Sequence, residues 1–197
     1  MSSPSKSGVD CLPLLPDLDR DAFTHVIQAA ADVVEDELVV VGSQALLGSL
    51  PTPPASLIRS QEVDLYPRTD PTRAIEIDGA IGDGSPFHQA NGYYGHGVGP
   101  ETITAPAGWE ERLVRYEAPP IRRRQGPAVG WCLSLPDLLL AKLAAGREHD
   151  LSFVADALRE QLASAGELKR GIDLMPEQVR DDVRTRLQFA AAISRRG

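Results

Sequence analysis

Leu38-Val39-Val40-Val41 restricts the fold more than any other stretch of this chain. Four apolar residues stand in a row, three of them β-branched, and Gly42 ends the run. β-branched residues favour extended backbone, and a strand that is apolar at every position has to be covered on both faces. The run therefore predicts a strand inside a layered fold. Gly42-Ser43 follows at once, and Ser43-Gln44-Ala45-Leu46-Leu47 predicts a helix opening straight from the strand. Glycine at such a junction lets another group come close to the backbone. Ser43 and the free N–H groups of the next turn then make an anion site, although a tight turn with a serine N-cap has the same appearance.

Two further patterns carry chemistry. Glu62-Val63-Asp64-Leu65-Tyr66 alternates and is ended by Pro67, which predicts a second strand. Residues two apart on a strand point to the same side, so Glu62 and Asp64 face one place while Val63 and Leu65 face the core. Two carboxylates that close repel each other unless something positive lies between them, and oxygen donors suit Mg2+ or Mn2+. The other pattern is a lysine. Of the 20 basic residues, 17 are Arg and three are Lys: Lys6, Lys142 and Lys169. Lys142 lies between Leu138-Leu139-Leu140-Ala141 and Leu143-Ala144-Ala145, in a helix apolar almost all round. A buried ammonium needs an acidic partner or a phosphate. Arg147 and Asp150, three apart, share one helical face just beyond it.

The rest of the chain fills in an α+β order. Apolar residues at helical spacing predict a helix from about Asp19 to Asp36, capped by Asp17 or Asp19. Pro51-Thr52-Pro53-Pro54 is a loop, and Asp70-Pro71 starts a helix that runs to about Ile81. Residues 82–108 are rich in Gly and Pro, with a short strand at Tyr93-Tyr94. Leu113 to Glu117 and Val129 to Leu133 read as strands. From Ser134 onward the chain is helical, with breaks near Gly146 and between Ala165 and Met175. These elements predict a small mixed sheet with a helical C-terminal part: a flexible arm over residues 1–16, an α/β core over 17–133 and a helical subdomain over 134–197.

Composition excludes several function classes. The formal charge of −8 on 197 residues argues against a whole-surface nucleic-acid binder. No apolar run approaches the ~18 residues of a membrane span, and MSSPSKSGVD lacks the apolar stretch of a signal peptide. Cys11 and Cys132 lie far apart in no metal-ligand spacing. A reduced, cytoplasmic protein is the expectation, with no membrane partner.

A strand, Gly-Ser opening a helix, and an acidic-x-acidic strand about twenty residues later together resemble the nucleotidyltransferase fold of the DNA polymerase β type. Val41-Gly42-Ser43-Gln44-Ala45-Leu46 and Arg59-Ser60-Gln61-Glu62-Val63-Asp64-Leu65-Tyr66-Pro67 are similar to the bacterial nucleotidyltransferase-like proteins of the domain of unknown function 6036 family. That family in turn resembles the AbiEii/MenT type of toxin–antitoxin nucleotidyltransferase. The likeness extends through Gly92-Tyr93-Tyr94, Gly97 to Thr102 and Gly130-Trp131-Cys132-Leu133 to the block Lys142 to Asp150, over roughly residues 38–158. It implies transfer of a nucleoside monophosphate from an NTP to an acceptor hydroxyl on an RNA 3′ end, a protein or a small molecule. Glu62 and Asp64 would hold Mg2+ or Mn2+, Gly42 and Ser43 would cradle phosphates, and Lys142 and Arg147 would contact them. Asp150 would orient one of these cations or complete the acidic cluster. In catalysis the roles fall to Glu62, Asp64 and Lys142, and a cognate antitoxin is an implied partner.

The sequence departs from that pattern at two points. The first acid is Glu, a methylene longer than the usual Asp, which moves a ligand by about an ångström. A third carboxylate has no clear counterpart, and Glu117, two residues after Arg115, is the nearest candidate on a strand. Both departures favour the alternative of a catalytically silent relative that binds nucleotide or a protein partner. His88 and His96 bracket Tyr93-Tyr94 in the glycine-rich stretch and lack zinc spacing; a loop lining a pocket or a structural hairpin are the readings there. Arg122-Arg123-Arg124 reads as a basic turn. The C-terminal Arg180, Arg184, Arg186, Arg195 and Arg196, diluted by Asp181 and Asp182, read as a solvated helix.

Overall fold

The structure, a computed structural model, describes residues 18–120 and 126–195. The expected arm at 1–16 and the Arg122–Arg124 turn lie outside the described residues. Helix α1 (Arg20–Val34) is capped by Asp19, whose carboxylate accepts from the Ala22 N–H. Its buried face carries Phe23, Val26, Ile27, Ala30 and Ala31 at helical spacing. Strand β1 (Leu38–Val40) is buried at all three positions. Helix α2 (Ala45–Ser49) follows, then β2 (Glu62–Pro67), α3 (Ala74–Ile81), α4 (Pro86–Asn91), β3 (Tyr94–Gly97), β4 (Val114–Ala118) and β5 (Ala128–Cys132). The chain ends in α5 (Leu135–Ala145), α6 (Glu148–Arg159), α7 (Ala165–Gly171) and α8 (Arg180–Ser194).

The five strands form one mixed sheet in the order β3-β2-β1-β5-β4, so this is the expected α+β fold with a helical C-terminal part. β1 runs parallel to β5 and antiparallel to β2; β2 runs parallel to β3. The period of two separates the faces of the sheet. Leu38, Val40, Val63, Leu65 and Cys132 join α1 in the main core, whereas Val39, Val41, Tyr66 and Val98 form a smaller cluster on the opposite face, under Ile103, Trp109 and Leu113. Glu62 and Asp64 share that second face with Tyr66. The main core continues through Leu138, Leu139 and Leu143 of α5 to Val183 and Ala190 of α8. A bidentate pair from Arg112 to the buried Asp137, at 2.9 and 2.8 Å, ties the segment crossing the second face to the first turn of α5.

Four local expectations change. α2 begins at Ala45, because Gly42 to Gln44 form a turn closed by bonds such as Ala45 N–H to the Gly42 carbonyl. Within 82–108 the structure holds α4, which has its own start and stop signals: Ser85 as N-cap, Pro86 at the first position and Gly92 in the left-handed conformation. α7 occupies part of the interval read as a break, capped by Ser164. Arg186 of α8 is more than a solvated residue: its guanidinium donates to the carbonyls of Leu143 and Ala144 at the end of α5.

Candidate functional site

β1 delivers the chain to Gly42, whose φ of 66° lies where side-chain-bearing residues are strained. A Cβ there would sit 2.3 Å from Asp64 Oδ2. The group that this glycine admits is thus the Asp64 carboxylate. Val41 N–H donates to the Asp64 carbonyl at 2.9 Å, which holds the end of β1 against the middle of β2. Gln44, 1% exposed, donates from Nε2 to the Ser60 carbonyl and fixes the turn to the chain entering β2.

On β2, Glu62 and Asp64 project from one face. The parallel register sets Tyr94 beside Glu62 and His96 beside Asp64. The Tyr94 hydroxyl donates to Glu62 at 2.9 Å, and His96 Nδ1 lies 2.9 Å from Asp64 Oδ1. Donor atoms of Glu62, Asp64 and His96 all lie within 4.8 Å of one another. Burial pushes the Asp64 carboxyl above the ordinary carboxylate range; the His96 hydrogen bond opposes this rise and the charge of Glu62 adds to it. Burial, then the Glu62 carboxylate, likewise raises the Tyr94 hydroxyl.

α5 and α6 bring the basic residues. Gly146, with φ 69°, ends α5 and turns the chain into α6. Across that turn the Lys142 ammonium meets Asp150 Oδ1 at 2.9 Å and lies over the Phe153 ring at 4.4 Å. Asp150 is therefore the acidic partner that a lysine in an apolar helix demanded. Arg147, far more exposed, stands 3.9 Å from Asp150 Oδ2, and that oxygen is buried with no hydrogen-bond partner among the described residues. His149 Nε2 is 3.6 Å from Asp150 Oδ1.

A cavity of about 630 Å³ opens between these elements, lined by Gly42, Ser43, Glu62, Asp64, Lys142, Arg147 and Asp150. These seven are the residues that the resemblance assigns to phosphate and metal. Glu117 does not border the cavity: it sits on β4 at the far edge of the sheet, two strands beyond β1, in an exposed pair with Arg115. The residue beside Asp64 in its place is His96, in the stretch whose sequence reads as a pocket-lining loop or a structural hairpin. The signal for it was Gly95-His96-Gly97. Those glycines serve packing, since a Cβ at Gly97 would sit 2.0 Å from the Ala74 carbonyl and one at Gly95 would sit 2.7 Å from Ile81. His88 belongs to a local turn instead, accepting from the Gly84 N–H and facing Asp83 at 3.0 Å.

The donor set fits a divalent cation. Two carboxylates and an imidazole converge at the lining of the cavity, the charge of Glu62 acts on Asp64, and Lys142, whose charge also reaches Asp64, is engaged by Asp150. Among the described residues no helix is long and apolar enough to cross a membrane. A family model described as a nucleotidyltransferase of unknown function (DUF6036) matches residues 15–186. No curated protein and no solved structure matches the chain.

Proposed function

The chain belongs to the DUF6036 family of nucleotidyltransferases of unknown function, and from that premise we propose that it moves a nucleoside monophosphate from an NTP to an acceptor hydroxyl with the help of a divalent cation. One observation carries the reading: the Gly42-Ser43 turn, the Glu62/Asp64 pair and the Lys142–Asp150 block, more than a hundred residues apart at the extremes, border one cavity of about 630 Å³. A surface without a shared ligand gives no reason for all three to meet.

In this reading Glu62 and Asp64 would hold the cation, which would supply charge neutralisation and a lowered pKa for the attacking hydroxyl. The Gly42–Gln44 turn lies against the phosphates. The acceptor hydroxyl gives up its proton to solvent, its oxygen bonds to the α-phosphorus, the α–β phosphoanhydride bond breaks, and pyrophosphate leaves with the electron pair of that bond. Lys142 and Arg147 neutralise charge on that leaving group. Asp150 positions Lys142 by holding its ammonium at 2.9 Å. The acceptor hydroxyl belongs to an RNA 3′ end, a protein side chain or a small molecule.

The test incubates the protein with each labelled NTP, Mg2+ or Mn2+, and total tRNA or the protein itself, beside an Asp64→Ala control. Label transfer lost in the control is the expected result. Transfer that survives in Asp64→Ala puts the chemistry elsewhere. Saturable NTP binding without transfer, abolished by Asp64→Ala, makes the chain a nucleotide-binding relative that has lost catalysis.

A further inference from the structure

We propose that His96 is the third protein ligand of the cation centre, in the place where a third carboxylate would be expected, and that its imidazole biases the centre toward manganese over magnesium. The proposal rests on the metal-dependent reading above and adds to it the ligand and the preference.

Three observations place His96 there. First, the β2–β3 pairing is parallel and sets Asp64 opposite His96, so Glu62, Asp64 and His96 emerge from adjacent strands on the same face. Second, the strand carrying His96 is fixed from behind. α3 lies so close that a Cβ at Gly97 would meet the Ala74 carbonyl oxygen at 2.0 Å, while Ile81 packs on Gly95, which sets the backbone from which the imidazole projects. A ligand on a packed strand keeps the sub-ångström positioning that a metal site needs. Third, the spacing suits coordination. Donor atoms of Glu62, Asp64 and His96 all lie within 4.8 Å of one another, and the 2.9 Å hydrogen bond of His96 Nδ1 to Asp64 Oδ1 is one that a shared cation would replace.

Asp150, which borders the same cavity, keeps its buried Oδ2 without a hydrogen-bond partner among the described residues. Ligand chemistry sets the preference among cations. A carboxylate set suits magnesium, a hard ion that takes oxygen, whereas imidazole adds affinity for first-row transition ions and little for magnesium. Two carboxylates with one imidazole therefore favour manganese over magnesium.

The experiment measures Mn2+ binding to the full-length protein by loss of the free-ion electron-spin-resonance signal, with Mg2+ as competitor. Electron-spin-echo modulation reads directly bound nitrogen. The native protein should bind one Mn2+ with nitrogen coupling. His96→Ala should lose that coupling and weaken Mn2+ binding by at least about tenfold, since loss of outer-shell partners alone costs 10–100-fold, while Mg2+ binding changes far less. His96→Asp should lose the coupling and shift the preference toward Mg2+. His149, which borders the same cavity, is the control, and His149→Ala should keep the coupling. Circular dichroism confirms that each variant is folded. Mn2+ bound without nitrogen coupling, or coupling that survives in His96→Ala, overturns the proposal and leaves the metal-dependent reading standing, provided that Asp64→Ala still abolishes binding. Absence of Mn2+ and Mg2+ binding in the native protein overturns both.

Discussion

Gly42 shows how a single residue couples fold to site. Its positive φ and the 2.3 Å approach of Asp64 to a Cβ position make two separate demands, and only glycine meets both. Gly42→Ala should destabilise the protein by more than about 1 kcal/mol, the scale on which Ala is disfavoured at positive φ, and chemical denaturation reads this. Because the added methyl also pushes on the Asp64 carboxylate, divalent-cation binding should weaken in the fraction that folds; unchanged cation binding would separate the turn from the site. Glu37 gives the clearest pH signature. Trp131 Nε1 donates to it at 2.7 Å and Arg68 pairs with it at 2.8 Å. The Trp131 hydrogen bond, opposed by desolvation and assisted by Arg68, holds its carboxyl below the usual range. A depressed carboxyl contributes stability that is present above its unfolded value, near 4.5, and is lost as the pH falls through the folded value. Glu37→Gln should therefore lower stability at pH 7 by under about 1 kcal/mol, as for other half-exposed pairs, and the difference from the native protein should shrink below pH 4.5. Thermal melts at several pH values test this, and a difference independent of pH would assign the effect to packing.

At the scale of elements, the α5–α6 hairpin carries the basic half of the site, and its internal pairing changes what a mutation there does. Sequence alone leaves the partner of Lys142 open between an acid and a phosphate. With a phosphate as partner, Lys142→Met would cost little stability. The 2.9 Å contact between Lys142 and Asp150, with both side chains largely buried, reverses that expectation. Removing the ammonium leaves a buried carboxylate unpaired, and breaking such a pair costs about 3–5 kcal/mol. Arg147 and His149 stand near enough to recover part of this, so a loss of about 2–3 kcal/mol is expected for Lys142→Met, and the double variant Lys142→Met/Asp150→Leu should restore most of it. Denaturant titration of the two variants decides the matter: equal losses in both would mean that the cost of Lys142→Met does not come from an unpaired Asp150 carboxylate. Lys142 was legible because an ammonium among seven apolar neighbours violates the local pattern and so reports on its surroundings. Glu62 and Asp64 were legible because a two-residue period needs no knowledge of partners. His96 was not. Its placement depends on a parallel pairing reached through α3 and α4, and a single sequence carries no record of parallel register. The choice of Glu117 failed for the same kind of reason, since strand order, which puts β4 at the far edge, is a property of the whole sheet.

The molecule as a whole has two apolar clusters on opposite faces of one sheet, and they divide its labour. The larger cluster joins α1, the sheet and the C-terminal helices, while the smaller one, at Val39, Val41 and Tyr66, lies beside the site on the same face of the sheet. The site therefore lies where the sheet is least thickly covered, between strands held by one core and helices anchored in the same core. That arrangement bears on the sequence-based division at residue 133. Cys132 is fully buried, with burial pushing its thiol up to about 12, and Leu133 and Leu138 continue the same packing into α5. A boundary between independent units usually runs through exposed chain with few contacts across it; here it would cut through buried residues. Sheet and C-terminal helices should accordingly unfold in one step. Tryptophan fluorescence reports the sheet through Trp109 and Trp131, and far-UV circular dichroism is dominated by the helices. In a Cys11→Ser variant, Cys132 is the sole thiol and reports the junction by its reactivity toward a disulfide reagent. All three signals should follow one denaturant transition with one midpoint, which is the behaviour of a two-state domain. A helical signal lost at lower denaturant than the tryptophan signal, with Cys132 becoming reactive between the two, would instead make residues 134–197 a separately folding unit and would detach the Lys142–Asp150 half of the site from the Glu62/Asp64 half.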